Sequence, residues 1–137
     1  MNGWFGAVAR RSAKFYFVGA IGLGVQLVTL SVCISVFHIN YLVATALAVE
    51  TALLHNFVWH ERFTWVDRTD LNVKAIAFRL VRFNVSNGVI SIVGNVILMR
   101  YLVGQGHMPY LYANLLAVAG CSVANFVASE FFVFCKR

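Results

Sequence analysis

The chain has 137 residues, of which 61% are Ala, Val, Ile, Leu, Met, Phe, Trp, Tyr or Cys and 12% are charged, with a formal net charge of +6. A soluble domain carries roughly 25% charged residues, so this chain has too few polar side chains to cover a water-facing surface, while the apolar content excludes disorder. An integral membrane protein is expected, one transmembrane domain over residues 1–137 with lipid around it.

The first predicted span is Phe15 to Phe37, 23 residues without a charge, reaching about 34 Å as a helix. Arg10-Arg11 precede it, but the run is too long for a secretory leader and no small-x-small cleavage site follows. After the short turn His38-Ile39-Asn40 comes the second span, Tyr41 to Trp59, interrupted by Glu50 and His55. The third, Phe83 to Val103, is weaker and contains Asn84, Asn87, Asn95 and Arg100. The turn Gly104-Gln105-Gly106-His107-Met108-Pro109 leads to the fourth, Tyr110 to Phe134, with Asn125 and Glu130 toward its end. Tyr41, Trp59, Trp65, Tyr101, Tyr110 and Tyr112 sit near span ends, as interfacial anchors do. Alternating strands of about ten residues are absent, so the spans are helices.

Basic residues set the orientation. Arg10, Arg11, Lys14, Arg62, Arg68, Lys74, Arg79, Arg82, Lys136 and Arg137 fall on one side, and Arg100 alone lies near the other. The positive-inside rule then puts both termini and the central loop in the cytoplasm, with the chain in the inner (cytoplasmic) membrane. The charge is a topology signal facing anionic lipid rather than a nucleic-acid surface. Cys33, Cys121 and Cys135 lie in or beside apolar runs and read as small membrane-buried side chains.

The halves resemble each other. Lys14-Phe15 matches Arg82-Phe83 at an offset of 68, and Tyr41 to Phe63 matches Tyr110 to Phe132 at 69, with 11 of 23 positions identical. The expected architecture is therefore all-α: four transmembrane helices as two parallel two-helix repeats, residues 14–65 and 82–134, related by an axis along the membrane normal. Repeats of this kind either frame a binding site or simply make a stable bundle.

The opening Lys14-Phe15-Tyr16-Phe17-Val18-Gly19 resembles the R-F-x-x-V-G start of the GtrA-like family. The segment from Asn56-Phe57 to Thr64-Trp65 resembles its N-F-x-x-x-x-x-x-T-F signature, with Trp65 where phenylalanine is usual, and Asn125-Phe126 opens a second copy. The resemblance covers Lys14 to Arg137. It implies a part in cell-surface polysaccharide or glycolipid synthesis, either moving polyprenyl-phosphate-linked sugars across the membrane or assisting a partner glycosyltransferase.

Several polar residues are candidates for that work. Glu50 lies nine residues from both Tyr41 and Trp59, near the bilayer midplane, where an ionised carboxylate costs on the order of 2.5–3.5 kcal/mol. It must be protonated, paired or facing water, and serves either proton coupling and head-group contact or a hydrogen bond between helices. Asn84, Asn87, Ser91 and Asn95 share one polar stripe of the third helix, which faces the bundle interior or a partner subunit. Gly19, Gly22 and Gln26 make a similar face on the first, read as close packing. Asn56 and Asn125 lie about one turn inside the cytoplasmic boundary, level with Lys14 and Arg82 and near Glu61 and Glu130. Those cations and amides suit a lipid phosphate; equally, Lys14 or Arg82 pairs with Glu61 or Glu130 across the repeats. His55 and His60 are too poorly spaced for a metal, and no catalytic triad or phosphate loop is present.

The expected function is thus non-enzymatic translocation of a polyprenyl-phosphate-linked sugar by a homodimer or small oligomer, without cofactor or metal. The alternatives are an accessory subunit of a membrane glycosyltransferase and a small proton-coupled exporter. The parallel repeat and the charge bias speak against the exporter.

Overall fold

A computed structural model describes residues 2–135, apart from the side chain of Tyr110. The basic tail residues Lys136 and Arg137 lie outside the described residues. The described chain is helical throughout, with four helices long and apolar enough to cross a membrane. Helices satisfy every backbone polar group internally, which hydrocarbon demands.

Helix α1 (Asn2–Ser35) is followed by α2 (Tyr41–Trp59), which ends in a π-helical turn, His60–Thr64. A 3-10 turn, Val66–Arg68, leads to α3 (Val73–Phe83), which passes through a second π turn, Asn84–Gly88, into α4 (Val89–Gly104). Helix α5 (Tyr110–Ala128) ends in a third π turn, Ser129–Val133. Asn40 caps α2 by accepting from the Leu42 amide at 2.9 Å, and Asn72 caps α3 by accepting from Lys74 N and Ala75 N. The two short turns each place a histidine in the left-handed region, His38 at φ 53° and His107 at φ 51°.

Two helices are longer than their apolar runs. α1 starts at Asn2 instead of Phe15 and its 34 residues measure about 51 Å, beyond the ~30 Å hydrocarbon core. The third span starts at Val73 instead of Phe83. Hydropathy marks where lipid begins, whereas caps and ion pairs decide how far a helix continues into water.

α1 packs along α2, and α4 along α5, as two hairpins. Small residues let the helices approach closely: Ala44, Ala48, Ala113 and Ala117 are fully buried. Gly22 is required by Asn56, whose side-chain amide occupies the space a Cβ would need. Outward positions are apolar and exposed, among them Val28, Leu47, Leu54, Val93, Ile97, Leu116 and Val123, as suits a lipid-facing surface. An aromatic cluster of Phe15, Phe57, Trp65, Phe83 and Phe134 binds the hairpins together at the end that carries the termini.

Candidate functional site

Two polar assemblies occupy the interior. The first is ionic and lies at the terminal end, beside the π turns. Glu130, 2% exposed, accepts from Arg11 Nε at 3.0 Å and Arg11 Nη2 at 2.7 Å. It also accepts from Trp65 Nε1 at 2.9 Å and Arg68 Nη2 at 3.0 Å. Arg68 donates further to the carbonyls of Glu130 and Phe134. Glu61 is held by both Arg79 Nε and Arg79 Nη2, and Arg79 also lies 3.7 Å from Asp70. These are charge-assisted fork-to-fork pairs, the strongest kind of side-chain hydrogen bond.

The cross-hairpin pairs expected for Lys14 and Arg82 are therefore made three residues earlier in each case, by Arg11 and Arg79. Lys14 instead donates to the Phe63 carbonyl at 3.2 Å and lies over the Phe63 ring. Arg82 donates to the Phe132 carbonyl at 3.2 Å and lies over Phe78 and Phe132. Both accepting carbonyls belong to π turns, where the widened register frees backbone acceptors. The Arg11 fork matches a carboxylate bidentately where the Lys14 ammonium does not; Arg82 has the same fork as Arg79, and its place on the helix, over Phe78 and Phe132, is what sets it apart.

The second assembly is a polar column along the bundle axis, a narrow cavity of about 80 Å³. At its terminal end His60, 1% exposed, shares a hydrogen bond of 3.0 Å with Thr64 and stacks on Phe15 at 4.9 Å. Ser129 donates to Asn87 Oδ1 at 3.2 Å. Asn125 Nδ2 donates to Ser91 Oγ at 2.8 Å, and Asn95 Nδ2 to the Ser91 carbonyl at 2.6 Å. Gln26 donates to Asn114 Oδ1 at 3.0 Å. Among the described residues, Asn95 Oδ1, Asn114 Nδ2 and Asn125 Oδ1 are buried with no partner. Each such atom costs roughly 1–3 kcal/mol, so the column is poised for another polar group.

Of the residues singled out from sequence, Asn56, Asn87, Ser91, Asn95 and Asn125 all line this column. Lys14 and Arg82 sit at the terminal rim and face carbonyls. Asn84 is half-buried outside the column. Glu50 is half-buried on α2, is absent from the column wall and has no hydrogen-bond partner among the described residues. Its helical position is on the edge of α2, beside the exposed Val43 and Leu54.

Sequence reasoning assigned no role to Asn114, a single amide in an apolar run, although the 69-residue offset sets it against Thr45, also buried. It read Gln26 as packing, and it set His60 aside. Arg11 and Arg79 read in the sequence as topology charges, yet the 68-residue offset relates them just as it relates Lys14 to Arg82.

No curated protein matches the chain. Residues 14–134 match the family described as "GtrA/DPMS, transmembrane domain", from Lys14 in α1 to the end of the final π turn and including every residue that lines the column. The chain is a multi-pass membrane protein of the GtrA/DPMS transmembrane-domain family, in the setting of carrier-lipid-linked sugars.

Proposed function

We propose that this protein, acting without catalysis, takes part in translocation of polyprenyl-phosphate-linked sugars for cell-envelope polysaccharide or glycolipid synthesis, and that the polar column is the path of the head group. The observation that carries this reading is the pair of buried amide oxygens lining the column, Asn95 Oδ1 and Asn125 Oδ1, which have no partner among the described residues. Amides both donate and accept, as sugar hydroxyls do, so one lining serves a chain of hydroxyls without specifying charge. The prenyl tail stays in lipid beside the bundle while the head passes between the hairpins.

A column of about 80 Å³ is too narrow for a sugar phosphate, so passage requires the hairpins to separate. The ionic assembly of Arg11, Arg68 and Glu130 and the Trp65–Phe134 stack hold them together at the terminal end. By the positive-inside rule that end is cytoplasmic and the membrane is the inner one. Four helices enclose little volume, and a homodimer or small oligomer is the working unit.

The test is movement of a polyprenyl-phosphate sugar in proteoliposomes containing wild type or Asn95→Leu at matched thermal stability. Asn95→Leu keeps the branched shape and heavy-atom count while removing the unpartnered acceptor and the donor to Ser91, and a loss of at least tenfold is expected. Equal rates overturn the column as the path. No movement with wild type alone favours an accessory subunit that positions a glycosyltransferase.

A further inference from the structure

A second, larger space lies at the end of the bundle away from the termini. There α1, α2 and α4 enclose a cavity of about 520 Å³, within the ~300–1,000 Å³ typical of ligand sites. Its walls are mostly apolar, with Leu30 and Ile34 from α1 and Val96 and Met99 from α4. Thr45 also lines it, but its hydroxyl donates to the Tyr41 carbonyl at 2.6 Å and is already satisfied. Water gains little from such walls, whereas a hydrocarbon chain from the surrounding bilayer gains their whole area.

The exception is Arg100. It lines the same cavity, is exposed, and makes no hydrogen bond or ion pair among the described residues. It stands four residues before the end of α4 at Gly104, about 6 Å inside the helix end. A guanidinium at that depth requires an anion or the interface. Its fork matches phosphate oxygens bidentately.

We propose that this cavity binds an anionic lipid, with one hydrocarbon tail between α1, α2 and α4 and its phosphate on Arg100. The inference deepens the reading above, because a polyprenyl phosphate carries both parts and the site lies where its head group leaves the column. A membrane phospholipid offers the same chemistry, and the experiment separates the two sources.

Binding is measured by native mass spectrometry of the purified full chain with polyprenyl phosphate, the corresponding polyprenol, and phosphatidylglycerol. Wild type is expected to bind polyprenyl phosphate at least tenfold more tightly than polyprenol. Arg100→Gln lowers phosphate-lipid affinity about tenfold, and Arg100→Lys, which keeps the charge but not the fork, recovers only part of it. Val96→Phe, which fills the cavity from α4, weakens polyprenol as well. Polyprenyl phosphate outcompeting phosphatidylglycerol assigns the site to the carrier lipid, and the reverse order assigns it to membrane phospholipid. Phosphate-lipid affinity within twofold of wild type in Arg100→Gln overturns the proposal, and this variant keeps it testable even if Val96→Phe fails to fold. Asn95→Leu, which addresses the column, keeps full affinity here, so failure of translocation and failure of this site are read separately.

Discussion

The indole of Trp65 and the ring of Phe134 lie face to face, 4.5 Å between centroids and 3° from parallel. Each residue closes a π turn, one at the end of α2 and one after α5, and the two positions are related by the 69-residue offset. The stack therefore joins one hairpin to the other where the column ends. Trp65 is fully buried and bonded to Glu130, so its ring seals the terminal end and its N–H anchors the carboxylate.

Trp65→Phe is expected to keep the stack and lose only the indole bond, at about 1–3 kcal/mol. Trp65→Ala loses both and costs about 3–5 kcal/mol. Reversible unfolding in mixed micelles measures both, and equal losses would mean that stacking contributes little.

Glu130→Gln removes the bidentate partner of buried Arg11 and the Nη2 partner of half-buried Arg68, leaving only the exposed Asp67, 3.9 Å from Arg11, and the expected loss is about 3–5 kcal/mol. Glu61→Gln has one arginine to release, and Arg79 retains Asp70, so its loss is smaller. The comparison is made by unfolding midpoint in the same micelles. A Glu61→Gln loss equal to or above that of Glu130→Gln contradicts this ranking.

Gly22→Ala places a methyl group where the Asn56 amide lies, and overpacking of this kind costs about 1–3 kcal/mol. Gly19→Ala meets open space and is expected to change stability by less than about 0.5 kcal/mol. Thermal melting of the two variants distinguishes them directly.

Single cysteines placed in the 66–74 loop are expected to label only from the cytoplasmic side, and those at 104–108 only from outside. Labelling of the 66–74 loop from outside would invert the orientation and move the Arg100 cavity to the cytoplasmic leaflet.

Glu50 lines no part of the column and holds no partner among the described residues. Glu50→Gln is therefore expected to translocate within twofold of wild type in proteoliposomes. A rate loss at matched stability would instead give the midplane carboxyl a proton-transfer role.

Much of the fold is legible in the residues. Uncharged runs mark the spans, and His38-Ile39-Asn40 leaves room for nothing but a tight turn. The stripe Asn87, Ser91 and Asn95 is legible because helical periodicity puts it on one face of one helix. Glu50 carries no such direction: a lone polar residue has no period, and only the neighbouring helices decide whether it points inward. Asn114 is hidden for the same reason, whereas Gln26 shares a face with Gly19 and Gly22 whose small residues fit close packing as well as a polar lining. The extension of α1 past Phe15 brings Arg11 to Glu130, a contact between distant positions that no local pattern encodes.

That contact also orders the protein's biogenesis. Arg79 and Glu61 are 18 residues apart, so their pair forms as soon as the central loop folds. Arg11 and Glu130 are 119 apart, and the first helix must wait for the last to leave the ribosome. Until then the Arg11 fork has only Asp67, 3.9 Å away, and a chain truncated before Glu130 never gains the bidentate pair.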